Sequence, residues 1–153
     1  QRCDAVCGHI RIRIWEFLYS CSVILRILRI EMNGKQKEFL TKSGINLTDG
    51  LVYFSENERL YEKYLFRFLE EPTFPELFKA IEEDRREDAR RAAHSLKGIT
   101  ATLGFTSLNT PVKAQEFEFK NGRWEEGNQY TDELKKEYAR IISVLRAVKA
   151  LEN

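Results

Sequence analysis

A short stretch around one histidine holds the residues that could do chemistry, Ala92-Ala93-His94-Ser95-Leu96-Lys97-Gly98. An unprotonated imidazole is a good nucleophile near neutral pH and needs no base to activate it. Lys97 lies three residues after His94 and could neutralise an added phosphoryl group as a point charge. Gly98 lies one helical turn beyond His94, and Ala101 lies on the next turn, so small residues would leave open space beside the ring. The pattern therefore indicates an exposed nucleophile suited to phosphoryl transfer.

A helix from Asp84, as its N-cap, to Gly104 must position this histidine. Apolar residues recur along it at steps of three and four, which is typical of a helix with one buried stripe. The predicted stripe consists of Ala89, Ala92, Leu96, Ile99 and Leu103. His94 then points about 170° away from the middle of the stripe, into solvent. Its predicted neighbours on the exposed side are Glu87, Arg90, Arg91, Lys97, Gly98 and Ala101.

The run from Ala93 to Gly98, followed by Leu103-Gly104, resembles the signature of histidine-containing phosphotransfer (HPt) domains. These domains are the phosphorelay intermediates of two-component signalling. The resemblance implies that His94 accepts a phosphoryl group from a receiver-domain aspartate, or returns it to one, through Nε2. It also implies that Lys97 helps hold the phosphate and that Gly98 clears the space around it.

The resemblance also points to a residue on the following helix. The family often carries a Glu or Gln there, near the histidine, and Glu116 falls at that place. A leucine usually precedes it, whereas this chain has Gln115. With Arg90, Arg91 and Ala101, Glu116 is expected to complete the partner-docking surface. The implied partners are response-regulator receiver domains or a hybrid sensor histidine kinase, and the divalent metal is expected on the receiver rather than on this chain.

Composition argues against several other kinds of protein. The chain has 25 Lys and Arg against 24 Asp and Glu, a net charge of +1, so nothing favours a nucleic-acid surface. It contains no Gly-x-Gly and no P-loop pattern, which argues against a nucleotide site and against autonomous kinase activity. Its histidines are His9 and His94, so a histidine-based metal site is not expected, and no cofactor is predicted.

Residues 1–31 differ from the remainder and are interpreted as an atypical leader. They hold all three cysteines and no lysine, and Met32 is the sole methionine of the chain. We therefore expect Met32 to be the true start, with upstream or artefactual sequence before it and an HPt-like domain over residues 32–153. An interfacial membrane helix in the leader is the alternative. Cys3, Cys7 and His9 have the loose spacing of a weak metal-site candidate.

The helical pattern of residues 32–153 predicts an all-α fold. Ser55 and Glu58 form a capping box before the first long helix, and residues 36–49 are interpreted as a lead-in. Further helices are predicted from Thr73, through the histidine motif, after Gly104 with a kink or restart at Pro111, and from Thr131, whereas residues 123–128 are predicted to be a loop or a frayed helix start. Short connections favour an up-down four-helix bundle, with the Ser55 helix as an additional covering helix at the N-terminal side.

Three functions are compatible with this pattern. The leading one is a phosphocarrier between receiver domains, cytoplasmic and monomeric. The second is a non-catalytic helical adaptor that binds a receiver domain without carrying phosphate. The third is the phosphorylated domain of a chemotaxis-type histidine kinase whose catalytic part would lie outside this chain. The intact set of His94, Lys97 and Gly98 favours the first function over the second.

Overall fold

The computed structural model describes residues 32–151, which contain helices and no strand. The prediction of an all-α fold is therefore confirmed for this part of the chain. The helices are α1 (Gly34–Lys42), α2 (Leu47–Tyr53), α3 (Glu58–Arg67), a 3-10 turn (Phe68–Glu70), α4 (Thr73–Glu82), α5 (Arg86–Thr102), α6 (Thr106–Lys120), α7 (Trp124–Asn128) and α8 (Thr131–Ala150). The predicted leader, with Cys3, Cys7 and His9, lies outside the described residues. None of the described helices is long and apolar enough to cross a membrane.

An aromatic cluster lies at the centre of the core. The Phe68 ring packs edge-on against Phe105, with centroids 4.9 Å apart, and Phe74 stacks on Tyr138 at 4.6 Å. The three phenylalanines are at most 1% exposed. Burial of each such side chain contributes roughly 1.5–3 kcal/mol. Because these residues belong to the 3-10 turn, α4, the start of α6 and α8, the cluster joins the elements that surround α5.

Helix α5 packs against α4 and α6, and α6 packs in turn against α7 and α8. The side of α5 that faces this core carries its fully buried residues, and the residue that caps its C-terminal end is nearly buried too: Ala89, Ala93, Leu96, Thr100 and the C-cap Leu103. The predicted stripe was therefore partly wrong, since Ala92 and Ile99 are half-buried and Ala93 and Thr100 take their places. The buried face is rotated around the helix axis, relative to the prediction, by about half of the angle that separates successive residues. A rotation of this size leaves His94 on the solvent side.

The connection from α4 to α5 corrects the predicted N-cap. Asp84 adopts a left-handed conformation, with φ of 50°, and ends α4 rather than capping α5. The Arg85 amide donates to Ala80 O at 2.8 Å, and the Asp84 amide donates to Ile81 O at 3.1 Å. This pair of bonds is the Schellman motif, which satisfies the last carbonyl groups of a helix. Helix α5 then begins at Arg86 without a side-chain cap.

The predicted capping box at Ser55 is also wrong. Ser55 and Glu56 both have positive φ, 52° and 60°, and form the turn between α2 and α3. Asn57 is the N-cap of α3, and its side-chain oxygen accepts from the Leu60 amide at 3.0 Å. Asparagine is as good an N-cap as serine, so the true cap lay two residues beyond the predicted one.

Three other segments differ from their predictions. The expected lead-in contains α1, which has its own capping box between Asn33 and Gln36. Helix α6 runs from Thr106 through Pro111 without a break, so the predicted restart is wrong, whereas the predicted kink stays a prediction. Residues 124–128 form α7, because Trp124 is buried and stacks on Phe119 with ring centroids 4.6 Å apart.

Helix α2 and the start of α3 are tied to the C-terminal end of α5. The Asn46 amide donates to Gly104 O at 2.9 Å, and the Tyr61 hydroxyl donates to Leu103 O at 2.9 Å. Burial raises the pKa of Tyr61, so the phenol stays protonated and remains a donor. Gly50 lies against the Tyr61 ring, where a Cβ would approach within 2.6 Å. The elements before α4 therefore hold the end of the histidine helix in place.

Candidate functional site

His94 lies on the outer face of α5, and 66% of its side chain is exposed. This confirms the prediction that the ring faces solvent. The other side of α5 is packed in the core through Ala93 and Leu96, which are both fully buried. The imidazole therefore projects from a rigid helix. The orientation leaves the ring accessible to a partner molecule.

Glu116 on α6 contacts both functional groups of the motif. Its Oε1 lies 3.0 Å from His94 Nδ1, and its Oε2 lies 3.0 Å from Lys97 Nζ. Only 9% of the Glu116 side chain is exposed, against 33% for Lys97. One largely buried carboxylate thus contacts both the imidazole and the ammonium group. The sequence-based placement of Glu116 near His94 agrees with this geometry.

The charge state of Glu116 follows from its surroundings. Burial opposes ionisation, but the hydrogen bonds from His94 and Lys97 outweigh it and hold the pKa of Glu116 below its ordinary value. The hydrogen bonds to Glu87 raise the pKa of the Arg90 guanidinium, and the charge of Glu116 adds to this effect. Glu116 is therefore a carboxylate at neutral pH.

The carboxylate fixes the tautomer of His94. An ionised carboxylate can only accept hydrogen bonds, so the proton of a neutral imidazole must reside on Nδ1. The lone pair then lies on Nε2, the ring nitrogen that Glu116 does not engage. In its neutral form, the ring therefore keeps its unprotonated nitrogen on the side away from Glu116.

A Glu116→Gln variant should reveal this carboxylate in the pH dependence of stability. Because the folded-state pKa is lowered, ionised Glu116 stabilises the wild type above its unfolded-state pKa, and the contribution is lost as the pH falls through the folded value. Urea unfolding at pH 7 and pH 3 should therefore show the wild type losing stability relative to the variant. A difference between the two proteins that is the same at both pH values would contradict the assignment.

Buried polar side chains fix α6 against its neighbours. Asn109 Nδ2 donates to Lys97 O at 2.9 Å and to Thr100 Oγ1 at 2.7 Å, which ties α6 to α5 within the motif. Gln115 is fully buried, and its Nε2 donates to Gly127 O at 3.1 Å. Buried polar groups need such partners, since an unmade hydrogen bond costs about 1–3 kcal/mol. These bonds fix the position of α6 along α5 and thereby place Glu116 beside His94.

Sequence reasoning did not identify Asn109 as part of the site. The available signal was an asparagine between apolar Leu108 and Val112 on a helix face that is otherwise buried. Gln115 was noted only as a departure from a leucine, whereas it bonds α6 to α7 and, through Thr131 Oγ1 at 3.1 Å, to the start of α8.

The other predicted site residues lie around His94 on α5. Gly98 is exposed, and a Cβ at this position would meet no atom within 4 Å, so the space beside the ring is open. Arg91 is exposed and Arg90 is half-buried. They form ion pairs along the helix with Asp88 and Glu87 respectively, both at 2.7 Å. Ala101 is half-buried. The docking roles of Arg90, Arg91, Ala101 and Glu116 stay predictions.

Comparison with known proteins connects this geometry to a family. A family model described as Hpt domain matches residues 67–144, which is just over half of the chain. The chain belongs to the Hpt domain family. No curated protein and no solved structure matches it. Hpt domains serve phosphotransfer in two-component systems, and the resemblance seen in the sequence is confirmed.

The matched region contains the candidate site residues on α5 and α6. It includes α5 with His94 and Lys97, α6 with Glu116, and most of α8. It begins at Arg67, the last residue of α3, so α1 and α2 lie before the match. Within residues 32–151, no group of three or more His, Cys, Asp or Glu side chains is arranged to hold a metal ion.

Proposed function

We propose that this Hpt domain relays a phosphoryl group between receiver-domain aspartates through His94 Nε2. The observation that carries the proposal is the contact between the exposed His94 ring and the buried Glu116 carboxylate. That contact leaves the nucleophilic nitrogen on the side that a partner can approach. A non-catalytic adaptor would need neither the exposed ring nor the carboxylate behind it.

The transfer step needs no reagent beyond the two proteins. The Nε2 lone pair attacks the phosphorus of an aspartyl phosphate, the N–P bond forms, and the P–O bond to the aspartate carboxyl breaks. The aspartate leaves as a carboxylate. His94 keeps its Nδ1 proton, and Glu116 stabilises the positive charge that develops on the ring. Return of the group to a second receiver reverses these changes.

Lys97 would neutralise the transferred group. Its Nζ donates to Glu116 at 3.0 Å, and an ammonium has three donors, so two remain for phosphoryl oxygens. Positioning and charge neutralisation supply most of the catalysis in phosphoryl transfer. The acidic pocket and the divalent metal would come from the receiver, which explains how a domain with few chemical groups of its own can serve as a carrier.

We also propose that α4, α5, α6 and α8 form the up-down bundle expected from the sequence. The contacts of α5 with α4 and α6, and of α6 with α8, support this order. Only three residues separate α4 from α5, and only three separate α5 from α6, as expected for antiparallel neighbours joined by short connections. In this arrangement α1, α2 and α3 are the covering helices, whereas the sequence predicted a single one.

The proposal is tested by mapping the phosphate. Purified receiver domains from the same genome would be charged with labelled acetyl phosphate, freed of excess donor and mixed with the full chain. We expect at least one receiver to transfer an acid-labile, alkali-stable label, and tandem mass spectrometry to place it on His94. Absence of transfer from every charged receiver, or an acid-stable label on another residue, would overturn the proposal.

A further inference from the structure

An open groove of about 560 Å³ lies between α5 and the segment formed by α3 and its 3-10 turn. We call it the α3–α5 groove. Pockets for small organic molecules have volumes of about 300–1,000 Å³ and mostly apolar walls with a few polar groups. The apolar side chains of this groove are Phe54, Tyr64, Phe68, Ile99 and Leu103. Its volume and its walls therefore suit a small organic ligand.

One end of the groove is aromatic. The Phe54 and Tyr64 rings lie 5.4 Å apart, tilted at 38°. Tyr61, whose ring lies 5.5 Å from that of Phe54, donates to Leu103 O at 2.9 Å, which places these rings at the C-terminal end of α5. Aromatic rings pack well against other rings in offset-stacked or edge-to-face contacts. This end of the groove therefore favours a planar aromatic group.

The other end of the groove is polar. Ser95 lines it on α5, seven residues before Thr102, which corresponds to about 10 Å of helical rise. Glu71 lies toward this end, because its neighbour Thr73 borders an adjoining groove together with Ser95. The Glu71 carboxylate accepts from the Thr73 amide at 3.3 Å and from the Thr73 hydroxyl. Glu71 is therefore occupied at the start of α4.

Arg67 supplies an available positive charge on the wall of the groove. It is exposed and is the last residue of α3. Within residues 32–151 its guanidinium has no hydrogen-bond or ion-pair partner, whereas Arg86, Arg90 and Arg91 on α5 each pair with a carboxylate. The N–H groups of a guanidinium form a fork that matches the two oxygens of a carboxylate. An unpaired arginine beside an apolar groove favours an anionic ligand.

The α3–α5 groove borders the space beside His94. Ser95 follows His94 in the chain, Gly98 lies one helical turn beyond it, and both line the groove. A Cβ on Gly98 would meet no atom within 4 Å, so a molecule in the groove has room to extend over this glycine. A protein partner covers about 600 Å² or more, a disc of about 14 Å radius. Gly98 lies about 6 Å along the helix from His94, so a partner at the ring and a molecule in the groove would compete for the same surface.

We propose that the α3–α5 groove binds a small aromatic carboxylate, and that the bound molecule slows the exchange of phosphate between receivers and His94. The aromatic body packs on Phe54 and Tyr64, and the carboxylate pairs with Arg67. Tyr64 and Arg67 lie one helical turn apart, a separation of about 5–6 Å that suits a carboxylate attached directly to a ring. The slowing of exchange rests on the proposed function, whereas the binding does not.

Calorimetric titration of the full chain tests the binding. The probes are 2-naphthoate and its uncharged counterpart 2-naphthamide. We expect the carboxylate to bind about tenfold or more tightly than the amide. An Arg67→Gln variant should bind 2-naphthoate about tenfold more weakly than the wild type, because it loses a charge-assisted hydrogen bond.

Lys63→Gln is the matched control, since Lys63 is an exposed cation on the preceding turn of α3 and does not line the groove. It should bind 2-naphthoate like the wild type. Absence of binding, equal affinity for the acid and the amide, or equal effects of the two substitutions would overturn the inference.

Nuclear magnetic resonance locates the bound molecule. Amide shifts of the isotope-labelled full chain would be followed during titration with 2-naphthoate. We expect the largest changes at Arg67, Gly98, Ile99 and Thr102, which line the groove. Largest changes on α1 or α8 would place the molecule elsewhere and would also overturn the inference.

Phosphoryl exchange tests the regulatory part. Saturating 2-naphthoate should raise the apparent KM of the wild type for its fastest receiver about threefold or more, with the maximal rate within about twofold. Arg67→Gln should be insensitive to the same concentration of 2-naphthoate. Labelling of His94 by phosphoramidate, which involves no protein partner, should be unchanged.

The outcomes separate this inference from the proposed function. Exchange that 2-naphthoate leaves unchanged would overturn the regulatory part and leave the proposed function intact. A tenfold rise in the KM of Arg67→Gln without any 2-naphthoate would show that the receiver itself occupies the groove, and would overturn the assignment to a small molecule. Failure of every receiver to label the wild type would overturn the proposed function and the regulatory part, whereas calorimetry would still decide the binding.

Discussion

A His94→Gln variant is expected to accept no phosphoryl group from a receiver that labels the wild type, a loss of at least about a thousandfold in rate. The variant lacks the nucleophilic nitrogen, and no neighbouring side chain offers an equivalent one. Its amide can still donate to Glu116, so the buried carboxylate keeps a partner. Because the replaced side chain is 66% exposed, stability should change by no more than about 0.5 kcal/mol. Quantitative autoradiography and thermal unfolding check the two expectations.

The matched control is His9→Gln, at the other histidine of the chain. It should be labelled at the wild-type rate. Equal labelling of His94→Gln and wild type would place the phosphate on another residue and remove the relay proposal. Loss of label together with a large fall in the unfolding temperature would instead show that the His94 side chain supports the fold, contrary to its exposed position.

A Gly104→Ala variant is expected to lose about 3 kcal/mol or more of unfolding free energy. Gly104 has a φ of 73°, and a left-handed conformation costs an alanine roughly 1–2 kcal/mol. In addition, a Cβ at this position would lie 2.1 Å from Asn46 O, which is backbone and cannot rotate away. The end of α5 and the start of α2 would have to separate. Urea denaturation monitored by circular dichroism measures the loss.

A Gly122→Ala variant measures the cost of the left-handed conformation alone, without a steric clash of the added Cβ. Gly122 also follows a helix, has the same φ of 73°, and would place its Cβ where no atom lies within 4 Å. This variant should lose only the roughly 1–2 kcal/mol of the left-handed conformation. Equal losses in the two variants would show that the contact between Gly104 and Asn46 is not tight in solution.

The exposure of His94 could be predicted from the sequence because it depends only on the period of one helix. Any helix that buries Ala89, Leu96 and Leu103 must turn His94 outward, even though the stripe was misplaced by about half a residue step. The contact with Glu116 depends on how α6 is set against α5, and no local pattern contains that information. Only the family resemblance pointed to Glu116, and the bonds of Asn109 that fix the register came from the structure.

The helix boundaries at Asp84 and Ser55 were mispredicted for a shared physical reason. Aspartate and serine favour N-caps, but both residues here occupy left-handed turn positions, where glycine is the usual choice. At Asp84 the deciding contacts are the amide bonds back to α4, which depend on where α4 ends. Side-chain preference alone therefore pointed to the wrong helix.

The bonds between the end of α5 and the preceding segment bear on how much chain this domain needs. The family match starts at residue 67, yet the carbonyl groups of Leu103 and Gly104 are bonded to Tyr61 and Asn46. A fragment that began at residue 67 would lack Tyr61 and Asn46. The carbonyl groups of Leu103 and Gly104 would then have only water as a hydrogen-bond partner, and the end of α5 would lose the packing of the Tyr61 ring. The segment that matches the family model is thus shorter than the segment that supplies hydrogen-bond partners to the histidine helix.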